Sequence, residues 1–230
     1  MTTEQIENVS GEKPAPVRRR KQQRTVDTRL KIIKAALSEF ALRSFDGATT
    51  RGISDAAQVP HSLVLYHFRN KEQLWYETVR EVVSWYTRRG VGSSRSRSSK
   101  DAAARLRRDF DYYIRFCAEN PDFFRLLTHE NTQASDRLTW FVTHHVGPTV
   151  GRTTRLIAQA QAEGRFVEGD ALTLLYLFLG AATSPYRSAR EIELLTGTRP
   201  DVEAAINAHI ATCERLFFRT PAPAAAPATA

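Results

Sequence analysis

Apolar side chains recur at the three- and four-residue spacing of helices along most of this 230-residue chain, which predicts an all-α fold. From Asp27 to Ser44 the stripe is Leu30, Ile33, Leu37, Phe40 and Ala41, one face of an amphipathic helix. Thr50 is placed to cap a short helix over Arg51 to Ala57, with Ile53, Ala56 and Ala57 on its inner side. Gln58, Val59 and Pro60 interrupt the pattern. Pro60 suits the first turn of a new helix, where its missing N–H would go unpaired anyway. His61 to Phe68 is that helix, with Val64 and Phe68 one turn apart and facing inward. Asn70 then caps a long helix from Lys71 to about Arg89, whose stripe includes Leu74, Trp75, Thr78, Val82 and Trp85.

Gly90 to Lys100, GVGSSRSRSSK, is Gly/Ser-rich and reads as an internal linker. Asp101 to Glu119 carries Leu106, Phe110, Tyr113 and Cys117 at spacings of four, three and four. Asn120-Pro121 ends that helix and starts the next, with Phe123, Phe124, Leu126 and Leu127 as a dense apolar segment. Leu138 to Val146 runs up to Gly147-Pro148, read as a break or kink, and Thr149 to Ala162 ends at Gly164. Ala171 to Ala182 is apolar on all sides, which implies burial by more than one neighbour. On the last helix Val202, Ala205, Ile206, His209, Ile210, Cys213, Leu216 and Phe217 form a near-heptad stripe. Four segments result: a basic arm over 1–25 and a Pro/Ala-rich tail over 220–230, both expected to be disordered, and ordered domains over 26–86 and 101–219.

Helix, three-residue turn, helix over Arg51 to Phe68 is the helix-turn-helix plan, in which the second helix enters the DNA major groove. The charge distribution strengthens that reading. Of a net charge of +8, residues 1–100 hold 19 Lys/Arg against 10 Asp/Glu, while residues 101–230 hold 14 against 15. A merely solvated basic surface would not concentrate on the half that carries the motif. The docking mode puts the start of the second helix against base edges, so His61, Ser62 and Leu63 are the candidate base readers. Thr50, Arg51, Tyr66, His67 and Lys71 are the candidate phosphate contacts. Lys71 opposes the helix dipole in the first turn of its helix, a place that makes better sense if a phosphate meets it. The Arg18 to Arg24 run, Arg24 included, reads equally as a minor-groove arm or a solvated tail.

These residues also carry a family likeness. Thr50-x-x-Ile53-x-x-x-Ala57-x-Val59, followed by Tyr66-His67-Phe68-x-x-Lys71-x-x-Leu74, resembles the signature of TetR-type transcriptional regulators. Ile33-x-x-Ala36-x-x-x-Phe40-Ala41, running into Phe45-Asp46-Gly47-Ala48-Thr49-Thr50, is similar to that family's first helix and loop. Three positions depart from it. Gln58 stands where Gly is usual, and a left-handed conformation there costs ~1 kcal/mol. Pro60 replaces a capping Ser or Thr, and Leu65 stands where many members carry Tyr. The resemblance implies a homodimer joined through the last two helices, double-stranded operator DNA as one partner, and a small effector as the other.

Catalytic and cofactor signatures do not appear: the chain has no HExxH, no GxGxxG opening a helix, no Walker-type loop and no GxSxG. His144 and His145 are adjacent, so on a helix they point about 100° apart and cannot grip one metal. No enzyme, cofactor or metal site is therefore expected. Cys117 and Cys213 lack CxxC spacing, and no apolar stretch is long enough for a bilayer, which together suggest a soluble cytoplasmic protein. Trp85, Tyr112, Tyr113, Phe116, Phe124, Trp140, His144 and Tyr176 are the candidate lining of an effector pocket, with ordinary core packing as the competing reading for each. The favoured function is a homodimeric DNA-binding repressor released by a small apolar molecule. The alternative is a helical carrier that no longer reads DNA.

Overall fold

The computed structural model describes the backbone of residues 17–89 and 101–220, and the side chains of 23–88 and 101–220. The linker expected over 90–100, residues 1–16 of the arm and residues 221–230 of the tail lie outside that range. Helix α1 spans Val17–Gly47. It begins before the predicted Asp27, so the backbone from Val17 to Arg24 is helical and not the disordered arm expected there. Its regularity breaks at Ser44, where φ is 58° and ψ is 177°. Thr49, in extended conformation, accepts a hydrogen bond from the Gly52 N–H at 3.0 Å and caps α2, Thr50–Ala56. The cap thus falls one residue before the Thr50 expected from sequence.

The turn to α3, His61–Phe68, contains Gln58 at φ 51°, the left-handed place where glycine would be unstrained. Pro60 stands before α3 with no side-chain cap bond. The Asn70 side chain accepts from the Gln73 N–H at 2.8 Å, at the start of α4, Lys71–Arg89. Ile53, Ala57, Val64 and Phe68 are buried against Ile33, Phe40, Leu74 and Trp75, as the apolar spacing required. Ala56, expected on the inner side of α2, is exposed, and Ser54, one turn before Ala57, is buried instead.

Asp101 caps α5, Ala102–Glu119, by accepting from the Ala104 N–H at 2.9 Å. Helix α6 is Pro121–Glu130, and Ser135 caps α7, Asp136–Phe141. The break foreseen at Gly147-Pro148 is instead a widened turn: Val142–Val146 is π-helical and leads directly into α8, Gly147–Ala162. Pro148 has no N–H to give the carbonyl four residues back, and its ring crowds that carbonyl, so the chain opens to the wider ladder. Helix α9 is Ala171–Arg187, α10 is Ala189–Thr196 and α11 is Glu203–Phe217. Sequence periodicity did not single out α10, none of whose residues is buried. Among the described residues one antiparallel bridge pairs Phe166 with Phe218 and ties the end of α11 to the loop after α8.

Two apolar cores result. One holds α5, α8, α9 and α11 together around Leu106, Phe110, Ile157, Phe178 and Phe217. The other, the core of α1 to α4, also takes in Phe116, Phe123, Leu126 and Phe141 from the second half. Helix α6 lies along α1, with the Ser38 hydroxyl donating to Asp122 at 2.9 Å and the His129 ring donating to the Ala41 carbonyl at 3.2 Å. The two halves of the sequence therefore share one core.

A candidate nucleic-acid interface and the cavity behind it

Burying Val64 and Phe68 turns the opposite side of α3 to solvent. Ser62, Leu63, Leu65 and Tyr66 are exposed there, Tyr66 at 78%. His61 is half-buried because its Nε2 pairs with the Thr50 hydroxyl at 3.0 Å, joining the starts of α2 and α3. Arg51 and Arg69 are exposed beside this face, and Arg24 is exposed on the N-terminal part of α1. His67 is half-buried with its ring edge-on to Tyr66, 5.3 Å between centroids. Burial and then the nearby Arg29 charge lower its pKa, which favours the uncharged ring.

Lys71 is placed differently from the sequence expectation. Its ammonium donates to the carbonyls of Phe45 at 2.9 Å, Ala48 at 3.1 Å and Asp46 at 3.4 Å, and lies 4.4 Å from the centroid of the Phe45 ring. All three donors of the ammonium are directed at the end of α1 beyond Ser44 and the residue that follows it. The cation that seemed to need a phosphate has carbonyl dipoles instead, and it fixes the segment that delivers Thr49 to cap α2.

Behind this face, a cavity of about 650 Å3 lies among α4, α5, α6, α7, α8 and α9, within the size range of small-molecule sites. Its walls are largely aromatic. Phe110 and Phe178 stack at 3.5 Å, Tyr86 meets Phe116 edge-on at 4.9 Å, and Tyr113 meets Phe124 at 5.8 Å. Burial holds the Tyr86 and Tyr113 hydroxyls protonated well beyond neutral pH. The π turn contributes His144 and His145 to the lining. Nδ1 of His144 donates to the Trp140 carbonyl at 2.8 Å, which in the neutral ring leaves Nε2 an acceptor. Nε2 of His145 is buried without a hydrogen-bond partner, and burial lowers the pKa of that ring.

Of the residues expected at a pocket, Tyr113, Phe116, Phe124, His144 and Tyr176 line this cavity. Trp85, Tyr112 and Trp140 do not. The Trp85 indole donates to Glu81 at 2.9 Å, and the Tyr112 hydroxyl donates to the Tyr86 carbonyl at 3.1 Å. Trp140 packs on Tyr76 at 4.8 Å and under Arg80 at 5.1 Å. Tyr86, Phe110 and Phe141 were missed as lining. Tyr86 neighbours Trp85 in sequence, and only the position of α5, beyond the linker, decides which of the two rings faces inward. Among the described residues no group of His, Cys, Asp and Glu could hold a metal, and no helix is long and apolar enough to cross a membrane.

Residues 32–77 match the model of bacterial regulatory proteins of the tetR family, and residues 103–213 match the tetracyclin repressor-like C-terminal domain. The HTH-type transcriptional repressor NicS of Pseudomonas putida is 26% identical over 167 residues, which cover 71% of this chain and 77% of that one. Among solved structures, a fatty acid metabolism regulator of Clostridium perfringens superposes with a TM-score of 0.63 at 17% identity, over 80% of this chain and 97% of that one. AibR, solved with isovaleryl coenzyme A and operator DNA, superposes with a TM-score of 0.64 at 17% identity, over 81% and 98%.

Proposed function

The chain belongs to the tetR family of bacterial regulatory proteins, and from that premise we propose that it is a cytoplasmic DNA-binding repressor that acts as a homodimer. In this reading α3 of each protomer enters the major groove of a palindromic operator. Residues 26–86 form the reading part, and 101–219 form the effector and dimerisation part. A small, mostly apolar molecule enters the aromatic cavity and weakens DNA binding. His61, Ser62 and Leu63 face the bases, while Thr50, Arg51, Tyr66 and His67 meet phosphates, with Arg24 nearby on α1. Lys71 acts on the operator mainly through the segment it fixes. The observation that carries the reading is the exposed face of α3 on the basic half of the chain, with its apolar side locked into the core.

Exposed apolar side chains on the last long helices support the dimer. Leu172, Tyr176 and Leu177 on α9 and Leu216 on α11 are 47–60% exposed, although Ala171 to Ala182 reads from sequence as buried on every side. A second copy seated there would cover them, and its two-fold axis would set the two α3 helices about 34 Å apart on one side of the DNA. The carrier alternative would need a reading face without basic surroundings. Selection of bound duplexes from a random DNA library tests the proposal: an inverted repeat is expected, and recovery of unrelated sequences would overturn it.

A further inference from the structure

Phe45 lies in the last residues of α1, just past the break at Ser44, and two cations approach its ring. The Lys71 ammonium is 4.4 Å from the centroid, and the Arg137 guanidinium carbon is 3.6 Å from it. Lys71 belongs to α4, Arg137 to α7. Arg137 also forms a two-pronged pair with Glu130, the last residue of α6: Nη2 to Oε1 at 3.0 Å and Nε to Oε2 at 3.3 Å. Glu130 is 4% exposed, and the Ser135 hydroxyl that caps α7 bonds to the same carboxylate. One buried carboxylate thus fixes the end of α6 against the start of α7. A buried ion pair adds little net stability over apolar residues of the same volume, so its weight lies in the geometry it sets.

We propose that Arg137 is a positioning residue for the DNA-reading helices, carrying the state of the cavity through the Phe45 ring to the end of α1 and the turn into α2. The inference rests on the DNA-binding reading above. Both helices held by the Glu130–Arg137 pair are walls of the cavity: α6 contributes Leu127 and Thr128, its C-cap Asn131 follows, and α7 contributes Leu138 and Phe141. An occupant that spreads these walls must move the guanidinium relative to Glu130, to Phe45 or to both. From Phe45 the path to the reading motif is short. Lys71 clasps the carbonyls of Phe45, Asp46 and Ala48, and the next residue, Thr49, caps α2. The α6–α7 turn makes a second contact with the same end of α1, from the Gln133 side chain to Asp46 at 3.5 Å. An arginine is suited to the role because its planar fork fixes direction at the carboxylate while its face stacks on the ring.

The link is reciprocal: if the cavity walls move the reading helices, DNA on those helices must change the cavity walls. The test uses the full chain and the duplex obtained by selection, with backbone amide hydrogen exchange as the readout. In the wild-type protein, DNA is expected to slow exchange in α2 and α3 and to alter it in residues 127–141. The paired change E130Q with R137M removes both buried charges together, so that neither is left unpaired. It is expected to keep the DNA-induced protection of α2 and α3 but to lose the distant change, with DNA affinity reduced at least about fivefold. R137K, which keeps the charge but not the fork, is expected to fall between. Should the paired variant fail to fold, F45L removes the ring and keeps the ion pair, and the same loss is expected. A distant change that persists in folded E130Q/R137M or in F45L would overturn the proposal and leave Arg137 a structural staple. Absence of protection in α2 and α3 of the wild-type protein would instead overturn the DNA-binding reading beneath it.

Discussion

Replacing Lys71 by methionine separates two roles that sequence alone merges. The methionine keeps the apolar stem and removes three N–H donors from the carbonyls of Phe45, Asp46 and Ala48. The best placed of these charged hydrogen bonds, to the Phe45 carbonyl, contributes about 1.5–3 kcal/mol when it must be given up, and a cation over a ring adds about 0.5–1 kcal/mol at a partly exposed site. Lys71 is half-buried and the Asp46 carbonyl is the most distant acceptor, so water regains part of the loss. A net cost of about 2 kcal/mol follows, which in a chain of this length lowers Tm by roughly 4–8 °C. Up to about tenfold of DNA affinity goes with it, because α2 must be put back in place on the DNA. The slope of log affinity against log salt stays as it was, since no phosphate contact is lost. Calorimetric melting and anisotropy titrations between 50 and 200 mM salt, conditions over which each lost phosphate contact would change the slope by ~0.9, read both quantities. A slope smaller by about one unit with an unchanged Tm would refute the clasp and restore Lys71 as a phosphate ligand.

Three further outcomes are expected. Leu216 is 60% exposed in the single chain, so Leu216→Asp leaves each protomer folded but gives monomers that bind the selected duplex weakly; a dimer in sedimentation would count against the α9–α11 interface. Gly151 lies inside α8 with open space where a Cβ would go, so Gly151→Ala raises stability by about 0.5–1 kcal/mol in urea unfolding, and a loss would mean the helix is crowded there. Burial holds the His145 and His209 rings below their ordinary 6.5, so the unfolded chain takes up protons that the folded chain refuses. Stability is therefore complete above pH 6.5 and falls as the pH drops below it, and a urea midpoint equal at pH 7.5 and 5.5 would contradict this.

The helices and their inward faces were legible because they are local properties. The span of α3, the left-handed Gln58 and the Asn70 cap each follow from spacing or from one residue's chemistry. The N-cap at Thr49 was missed because two threonines stand side by side, and only the backbone direction after Ser44 chooses between them. Lys71 was assigned from the helix dipole of its own helix; the carbonyls that receive it come from more than twenty residues earlier. The same limit applies at the cavity, where Tyr86 rather than Trp85 faces inward once α5 is in place. Arg137 carried no local signal at all, since its partners lie on three different elements.

Two copies of α3 are expected to read one site together. Anisotropy titration at 150 mM salt, comparing the selected duplex with versions in which one or both half-sites are scrambled, tests it directly. A specific site is expected to bind at least about 10³-fold tighter than the fully scrambled duplex, and most of that preference should vanish when one half-site is lost. Equal affinity for all three duplexes would contradict the account and reduce the basic half of the chain to nonspecific attraction for phosphate.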